Sequence, residues 1–445
     1  MSGSWVERAF RIAAVRWIVA CAFLVRASYH RRRGRLYRAL VDYCWVERVS
    51  RVEPLRRLAR RVVDDSIATA RTAARNPIVD SYLADPASTA CVALFTITGG
   101  GPHDLFRDVI VLKSPTEREK GVILLKYART FDAMLAICDM PRLRERYTIV
   151  LEPCWAGYCD PSLLMYIAPG QPTLVQCFTA DDRAFIESVG EPLVPMDLGP
   201  ADWVNADLFR PPPVAHKTHD LVMVANWTRH KRHAELFRAL EAIRDRDLSV
   251  LLVGFPLGDR TVDDVRREAA TVGNPRVSVE FVDRVPAGDV AGLVGRCRAF
   301  VFLSRKEGDN KALVEALFVD VPAIVYAGSI GGATRRINQF TGVLTEDADL
   351  PAAIVDVLDH AERFTPRAWA LAHTGSAIST RRVNDVLRRV AERDGRTYTV
   401  DIVEKTNSPN LAYRDDRDRA RFAADYAFIR ECRRLAGPVA AVGPV

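Results

Sequence analysis

"SRKEGDNKALVEALFVDVPAIVYAGSIGG", residues 304–332, decides how this chain folds. Its first residues close an apolar β-type run, "RAFVFLSR" (298–305). A polar loop, "RKEGDN", follows, then "KALVEALF" with apolar residues at helical spacing, then a second short apolar run, "VPAIVYAG" (321–328). Strand, loop, helix and strand in that order form the unit of a parallel sheet covered by helices. Two carboxylates sit in the unit, Glu307 in the loop and Glu315 eight positions on in the helix. Gly308 permits loop conformations that other residues resist. Backbone amides from Asp309 to Leu313 would lie at a helix start, where unpaired amides and the helix dipole attract oxyanions. A carboxylate accepts hydrogen bonds from two vicinal hydroxyls, so Glu315 suits a ribose diol and Glu307 a hydroxyl-rich group nearer the loop. Glutamates at helix starts are also common on solvated surfaces, so the spacing needs its context.

The same rhythm surrounds the stretch. Upstream come "DLVMVANW" (220–227), "KRHAELFRALEAIRDR" (231–246), "LSVLLVGFP" (248–256) and "RVSVEFVDRV" (276–285). The alternation predicts a doubly wound α/β domain over 206–358. An earlier set, "ACVALFTITGGG" (90–101), "DVIVLKS" (108–114), "GVILLKYA" (121–128), "YTIVLEP" (147–153) and "PTLVQCFT" (172–179), predicts another, mostly parallel sheet in a domain over 86–205. The Pro-rich "LGPADWVNADLFRPPPVAHKTHD" (198–220) reads as the linker. Residues 1–85 and 359–445 are helical and rich in arginine. Two such domains leave a cleft between two rows of strand C-termini, where ligands of these sheets bind.

Bulk properties fit this picture. A chain of 445 residues exceeds one ordinary core. A formal charge of +7 favours acidic partners such as nucleotide phosphates or anionic lipid. No aromatic-interleaved or helix-turn-helix pattern points to nucleic acid. Nine cysteines, an odd number without a CxxC pair or a ligand-spaced histidine, read as reduced cytosolic thiols with neither disulfide frame nor metal site. Near the N-terminus, "FRIAAVRWIVACAFLVRASYHRRRGRLYRAL" (10–40) holds an apolar run of only nine residues, Trp17 to Val25, followed by Arg31, Arg32 and Arg33. A spanning helix needs about 20 apolar residues, and a secretory signal carries its charge before the run. Two readings stay open: a basic helix lying on an anionic membrane face, or a helix packed on the protein with arginine at its rim.

The turn after the strand at 220–227 carries Arg229, Lys231 and Arg232. Cations at a helix N-terminus oppose the dipole, so a phosphate facing them is the better explanation. They would stabilise a leaving phosphate as its bond breaks.

In this order the elements resemble the donor half of family-4 retaining glycosyltransferases of the GT-B fold: a strand and basic loop with lysine, then "LLVG", "VEFVDRV", "FLSRKEG", an acidic residue eight on, and "VPAIV…GG…TGVL". The resemblance implies two Rossmann-like doubly wound domains facing across a cleft, with extra helices at both ends. It implies transfer of a sugar from a nucleotide-diphospho sugar to an acceptor hydroxyl, with retention and without a metal or other cofactor. Carried onto this sequence, Glu307 would contact the donor sugar and Glu315 the ribose. Gly308, Asn310, Lys311, Ala312 and Leu313 would present the loop and helix-start amides. Lys231 matches a phosphate-binding lysine, with Arg229 beside it. Arg284 and Val285 follow the strand whose loop contacts the base, and Gly99, Gly100 and Gly101 match a first-domain glycine turn. The sequence departs from the pattern at Asn226, where an arginine is expected, and at Arg232, where a glycine is. A histidine expected at a first-domain strand end is absent; "LEPCWAGY" (151–158) offers Glu152, Cys154 and Tyr158, and a nearby loop offers His103. The acceptor expected is a saccharide or a lipid-linked one, handled at the cytoplasmic face of a membrane during envelope or surface polysaccharide synthesis. The departures leave a second expectation, a GT-B shell that binds nucleotide sugar as a scaffold with little turnover.

Overall fold

The computed structural model describes residues 13–433, except 51, 91, 93–94, 97–103, 156–159 and 213–215. The chain opens with helices α1 (Ala13–Arg32), α2 (Leu36–Val49) and α3 (Glu53–Thr72). Ala20 and Ala27 are fully buried, and their small size lets α1 lie close on α2. Phe23 stacks on Trp45 at 5.9 Å, and the Arg26 Nε donates to Asp42 at 2.8 Å. These contacts fix the hairpin of α1 and α2.

The first sheet has five strands in the order β1 (Val109–Lys113), β2 (Gly121–Lys126), β3 (Tyr147–Glu152), β4 (Thr173–Gln176) and β5 (Leu193–Met196). Residues of β1 and β2 are buried throughout, as expected of a sheet covered on both faces. Helix α4 (Ala128–Ile137) follows β2. The sheet is mostly parallel, as expected, with one exception. β1 runs antiparallel to β2. The few residues between them are too short for the crossover that parallel strands require. The run expected over 90–101 lies mostly outside the described residues, of which Thr96 makes an isolated bridge to Asp104. The fifth strand, "LVPM", went unread because its proline and brevity hide the pattern.

The second sheet has six parallel strands in the order β11-β10-β9-β6-β7-β8. They are β6 (His219–Val224), β7 (Leu248–Gly254), β8 (Val277–Asp283), β9 (Cys297–Phe302), β10 (Ala323–Tyr326) and β11 (Gly342–Thr345). Helix α5 (His233–Ala242) follows β6, and α6 (Lys311–Phe318) follows β9. From β6 the chain builds outward to β8, then returns to place β9 on the other side of β6. The order reverses between those two central strands, and a crevice opens at their C-terminal ends. Apolar clusters cover both faces, one including Phe300, Leu317 and Phe318 and the other Trp227, Leu236 and Ile354.

The rest of the chain returns to the first domain. Helix α7 (Ser376–Arg393) contributes Val383 and Leu387 to the first core, and α8 (Ala423–Glu431) contributes Tyr426 and Ile429. Between them a hairpin, β12 (Lys405–Thr406) and β13 (Ala412–Tyr413), dips toward the gap between the domains. With this return, both domains are α/β with largely parallel sheets and helices at both chain ends, the GT-B architecture.

Candidate active site

The crevice between β6 and β9 is where the sequence placed the chemistry. After β6 the chain passes Asn226 and enters a tight turn at Arg229–Lys231. The Asn226 side chain accepts from the Thr228 amide at 3.2 Å, so it shapes the turn. Trp227 is fully buried and donates its indole N–H to Asp283 at 2.7 Å, pinning the turn to the end of β8. The turn sends Lys231 inward and leaves Arg229 exposed. Arg232 is left-handed, with φ 65°, and its guanidinium reaches the Leu303 carbonyl at 2.9 Å and Asp347 at 2.6 Å. It ties the β6 turn to the β9 loop, a structural task that the sequence did not reveal.

From the other side, the loop after β9 brings Glu307 to Lys231. The Lys231 Nζ lies 2.5 Å from Glu307 Oε1. The same oxygen accepts from Asn310 Nδ2 at 3.2 Å. Asn310 Oδ1 in turn caps α6 by accepting the Leu313 amide at 2.8 Å, which is a favoured use of asparagine. Glu307 Oε2 is buried and has no partner among the described residues. Beside the turn a hollow of about 260 Å³ is lined by Arg229, Arg232, His233, Arg260, Arg305 and Lys306. His233 is almost fully buried and neither ring nitrogen finds a partner among the described residues. Burial, then the charges of Arg260, Lys231 and His230, hold its pKa down to about 3, so the ring is neutral.

The first domain closes over this loop. A Cβ on Gly308 would lie 1.6 Å from the Cys154 carbonyl oxygen, so only glycine permits the contact. The Cys154 thiol is pushed up to about 12 by burial, and so is not a nucleophile at neutral pH. The neighbouring Trp155 is exposed. Behind Gly308, Asp309 and Arg336 fasten the loop to the linker: Arg336 Nη2 lies 2.9 Å from Asp309 and 2.9 Å from Asp202, and Asp309 accepts the Ala201 amide at 2.9 Å. All three charged side chains are buried. The sequence does not mark this triad, because Asp202 lies more than a hundred positions from Asp309 and Arg336.

Glu315 is placed differently from Glu307. The tip of the β12–β13 hairpin reaches it, and the Ser408 hydroxyl donates to its carboxylate. Burial raises the Glu315 pKa, partly countered by the Ser408 hydrogen bond and by Lys311. The Lys311 ammonium is spent on the Asn407 and Pro409 carbonyls at 2.7 and 3.0 Å. Ala312 and the buried Leu313 lie in the first turn of α6. Arg284, with φ 60°, and Val285 follow β8 on the same rim; the Arg284 amide donates to the Gly254 carbonyl at 2.8 Å. Glu152 is fully buried at the end of β3, where Lys405 Nζ approaches it at 2.8 Å and Asn407 Nδ2 at 2.8 Å. Burial holds the Lys405 pKa down to about 8. Gly99, Gly100, Gly101, His103 and Tyr158 lie outside the described residues. The structure thus joins Lys231, Glu307, Gly308 and Asn310 at one point, and puts Glu315 and Lys311 one helical turn away under the hairpin.

A match to a known family now decides the second domain. Residues 205–366 match the family of glycosyl transferases group 1. Over that span the chain is similar to group 1 glycosyltransferases. The matched span runs from the linker through β11 and holds the whole Lys231–Glu307 crevice. Solved structures similar to this chain include Anabaena HepE in complex with UDP and glucose, at 15% identity, covering 60% of this chain and 78% of that one with a TM-score of 0.45. Sucrose-phosphate synthase from Thermosynechococcus elongatus is similar at 17% identity, covering 61% and 74% with a TM-score of 0.47. The lipopolysaccharide outer core galactosyltransferase WaaB is similar at 14% identity, covering 59% and 72% with a TM-score of 0.41. No curated protein sequence matches the chain closely enough to count as a relative.

Proposed function

We propose that this glycosyltransferase moves a sugar from a nucleotide-diphospho sugar to an acceptor hydroxyl, with retention and without a metal. The observation that carries the reading is the Lys231–Glu307 pair at the strand-order reversal, closed over by the first domain at Gly308. The donor diphosphate would lie against Lys231 and the cationic hollow of Arg229, Arg232 and Arg305. Cations and helix-start amides then balance the charge that a metal would otherwise hold. Glu307 would hold donor-sugar hydroxyls, exchanging its lysine contact for them. The sugar C1–O bond to phosphate breaks, with its electron pair leaving on the diphosphate. The acceptor oxygen bonds to C1 from the same face, and its proton passes to the departing phosphate. No separate base is needed.

Glu315 fits the ribose only if Ser408 gives way, so donor binding would move the hairpin tip. Asn226, where an arginine is expected, and the occupied Glu315 also favour the scaffold reading, in which the nucleotide sugar binds without turnover. A turnover assay separates them. Release of UDP or GDP from a panel of nucleotide sugars, with acceptor saccharides present and EDTA added, is expected in the wild type and lost in Glu307→Gln. No release from any donor would favour the scaffold.

The acceptor side would work at a membrane. No described helix is long and apolar enough to cross one. Trp17, Ile18, Val25 and Tyr29 are nonetheless exposed on α1, and Arg31, Arg32 and Arg33 are exposed at its end. An apolar face bordered by cations suits an anionic lipid surface at the inner face of the cell membrane.

A further inference from the structure

A second cationic hollow, of about 400 Å³, lies on the first domain at the end of β2. Its walls include Arg107, Lys126, Arg129 and Lys311, with Asp104 and Asp108 as the only carboxylates among the described residues. Asp108 is already held by Arg129 at 3.2 Å, and Asp104 caps a short turn by accepting the Phe106 amide at 3.0 Å. Lys126 is 4% exposed and its ammonium donates no hydrogen bond among the described residues. The nearest carboxylate oxygen, on Glu152, is 3.9 Å away, and Lys405 holds that glutamate at 2.8 Å. Burial opposes the charge on Lys126 and the Glu152 carboxylate favours it more, so it stays an ammonium. One glutamate therefore serves two buried lysines. Besides that shared carboxylate, the Lys126 ammonium has the Tyr127 ring at 5.0 Å, and it keeps the capacity to donate hydrogen bonds to an anion.

The backbone beside Lys126 adds donors. Tyr127 takes φ 70°, and α4 starts immediately after it with no side chain capping its first turn. The unpaired amides of such a start attract oxyanions. Pro409, Asn410 and Leu411 of the hairpin tip line the hollow, and the neighbouring Ser408 holds Glu315.

We propose that this hollow binds a phosphate group carried by the acceptor. The inference rests on the glycosyl-transfer reading and names the acceptor's chemistry: a sugar phosphate or a phosphate-linked lipid, whose phosphate meets Lys126 and the α4 start. The volume exceeds what a phosphate alone fills and leaves room for the group attached to it. The donor diphosphate belongs to the other domain, at Lys231.

The test titrates inorganic pyrophosphate, and separately UDP and GDP, into the full-length protein and its variants. Pyrophosphate affinity is expected to fall about tenfold in Lys126→Gln and in Arg129→Gln, and less than about twofold in Lys231→Ala. UDP or GDP affinity should show the reverse dependence. Arg129 is largely exposed, so its variant keeps the fold even if Lys126→Gln does not. Pyrophosphate binding that ignores both Lys126→Gln and Arg129→Gln overturns the proposal. A matching loss of UDP or GDP affinity in Arg129→Gln would assign the hollow to the donor and overturn it too. Pyrophosphate binding that needs Lys126, with no binding of UDP or GDP, would support the hollow and reject the donor reading.

Discussion

Lys231 and Glu307 meet 2.5 Å apart across the two central strands of the second sheet, 76 positions from each other in the chain. Each is the other's counter-ion, and the proposed donor would have to separate them. Removing one partner leaves the other charge poorly solvated. Lys231→Ala is expected to lower stability by about 1–3 kcal/mol and turnover by about 10²–10³-fold. Adding Glu307→Gln should restore part of the stability, measured by urea unfolding, and none of the turnover. Recovery of turnover in the double variant would remove both residues from the chemistry.

Ser408 holds the Glu315 carboxylate that the proposed ribose contact would use. Ser408→Ala takes away a hydrogen bond to a charged group that donor binding would otherwise have to break. UDP or GDP affinity, read by calorimetry, should rise up to about tenfold. An unchanged affinity would mean that the hairpin tip stays in place and that Glu315 does not reach the nucleotide.

Most of the second domain could be read from the chain because its strands are continuous apolar runs punctuated by helices of clear period. Lys231, Glu307, Gly308 and Asn310 were legible for the same reason: each follows directly from a strand end whose position the pattern fixes. What could not be read depends on contacts distant in sequence. Nothing near Ser408 marks it as the partner of Glu315, and nothing near Arg336 marks it as the counter-ion of Asp202 and Asp309. The antiparallel β1 was concealed because an apolar run carries no direction; only the short connection to β2 does. Glu152 looked like a reactive residue at a strand end and is engaged by Lys405 and Asn407 instead.

The Arg336 triad holds the loop around Asp309 against the linker. Arg336→Met leaves Asp202 and Asp309 buried with only the half-buried Arg335 as a cation, and unfolding free energy is expected to drop by about 3 kcal/mol. The charges of Arg336 and Arg335, acting against burial, hold the Asp202 pKa down to about 2. Its stabilising share is therefore present above the ordinary carboxylate range and lost as the pH falls toward 2. In Arg336→Met the urea midpoint should depend less on pH between about 4 and 2 than in the wild type.

Asp132 behaves in the opposite sense. Burial raises its pKa to about 7, with Tyr37 donating to it from 3.3 Å. The folded state then binds the proton more tightly than the unfolded chain, so stability falls as pH rises from about 4 to 7. Asp132→Asn cannot ionise, and its urea midpoint relative to the wild type should improve over that range and level off above it. A difference that is constant with pH would contradict the raised pKa.

The central claim is that a nucleotide sugar binds at the crevice shared by Lys231 and Glu307. Thermal unfolding of the full-length protein against a panel of UDP- and GDP-sugars tests it most directly, since a ligand that binds only the folded state raises the melting temperature. At least one donor should raise it by several degrees in the wild type, with the shift lost in Lys231→Ala and reduced in Glu307→Gln. A shift of equal size in all three proteins, or none with any donor, would contradict the account.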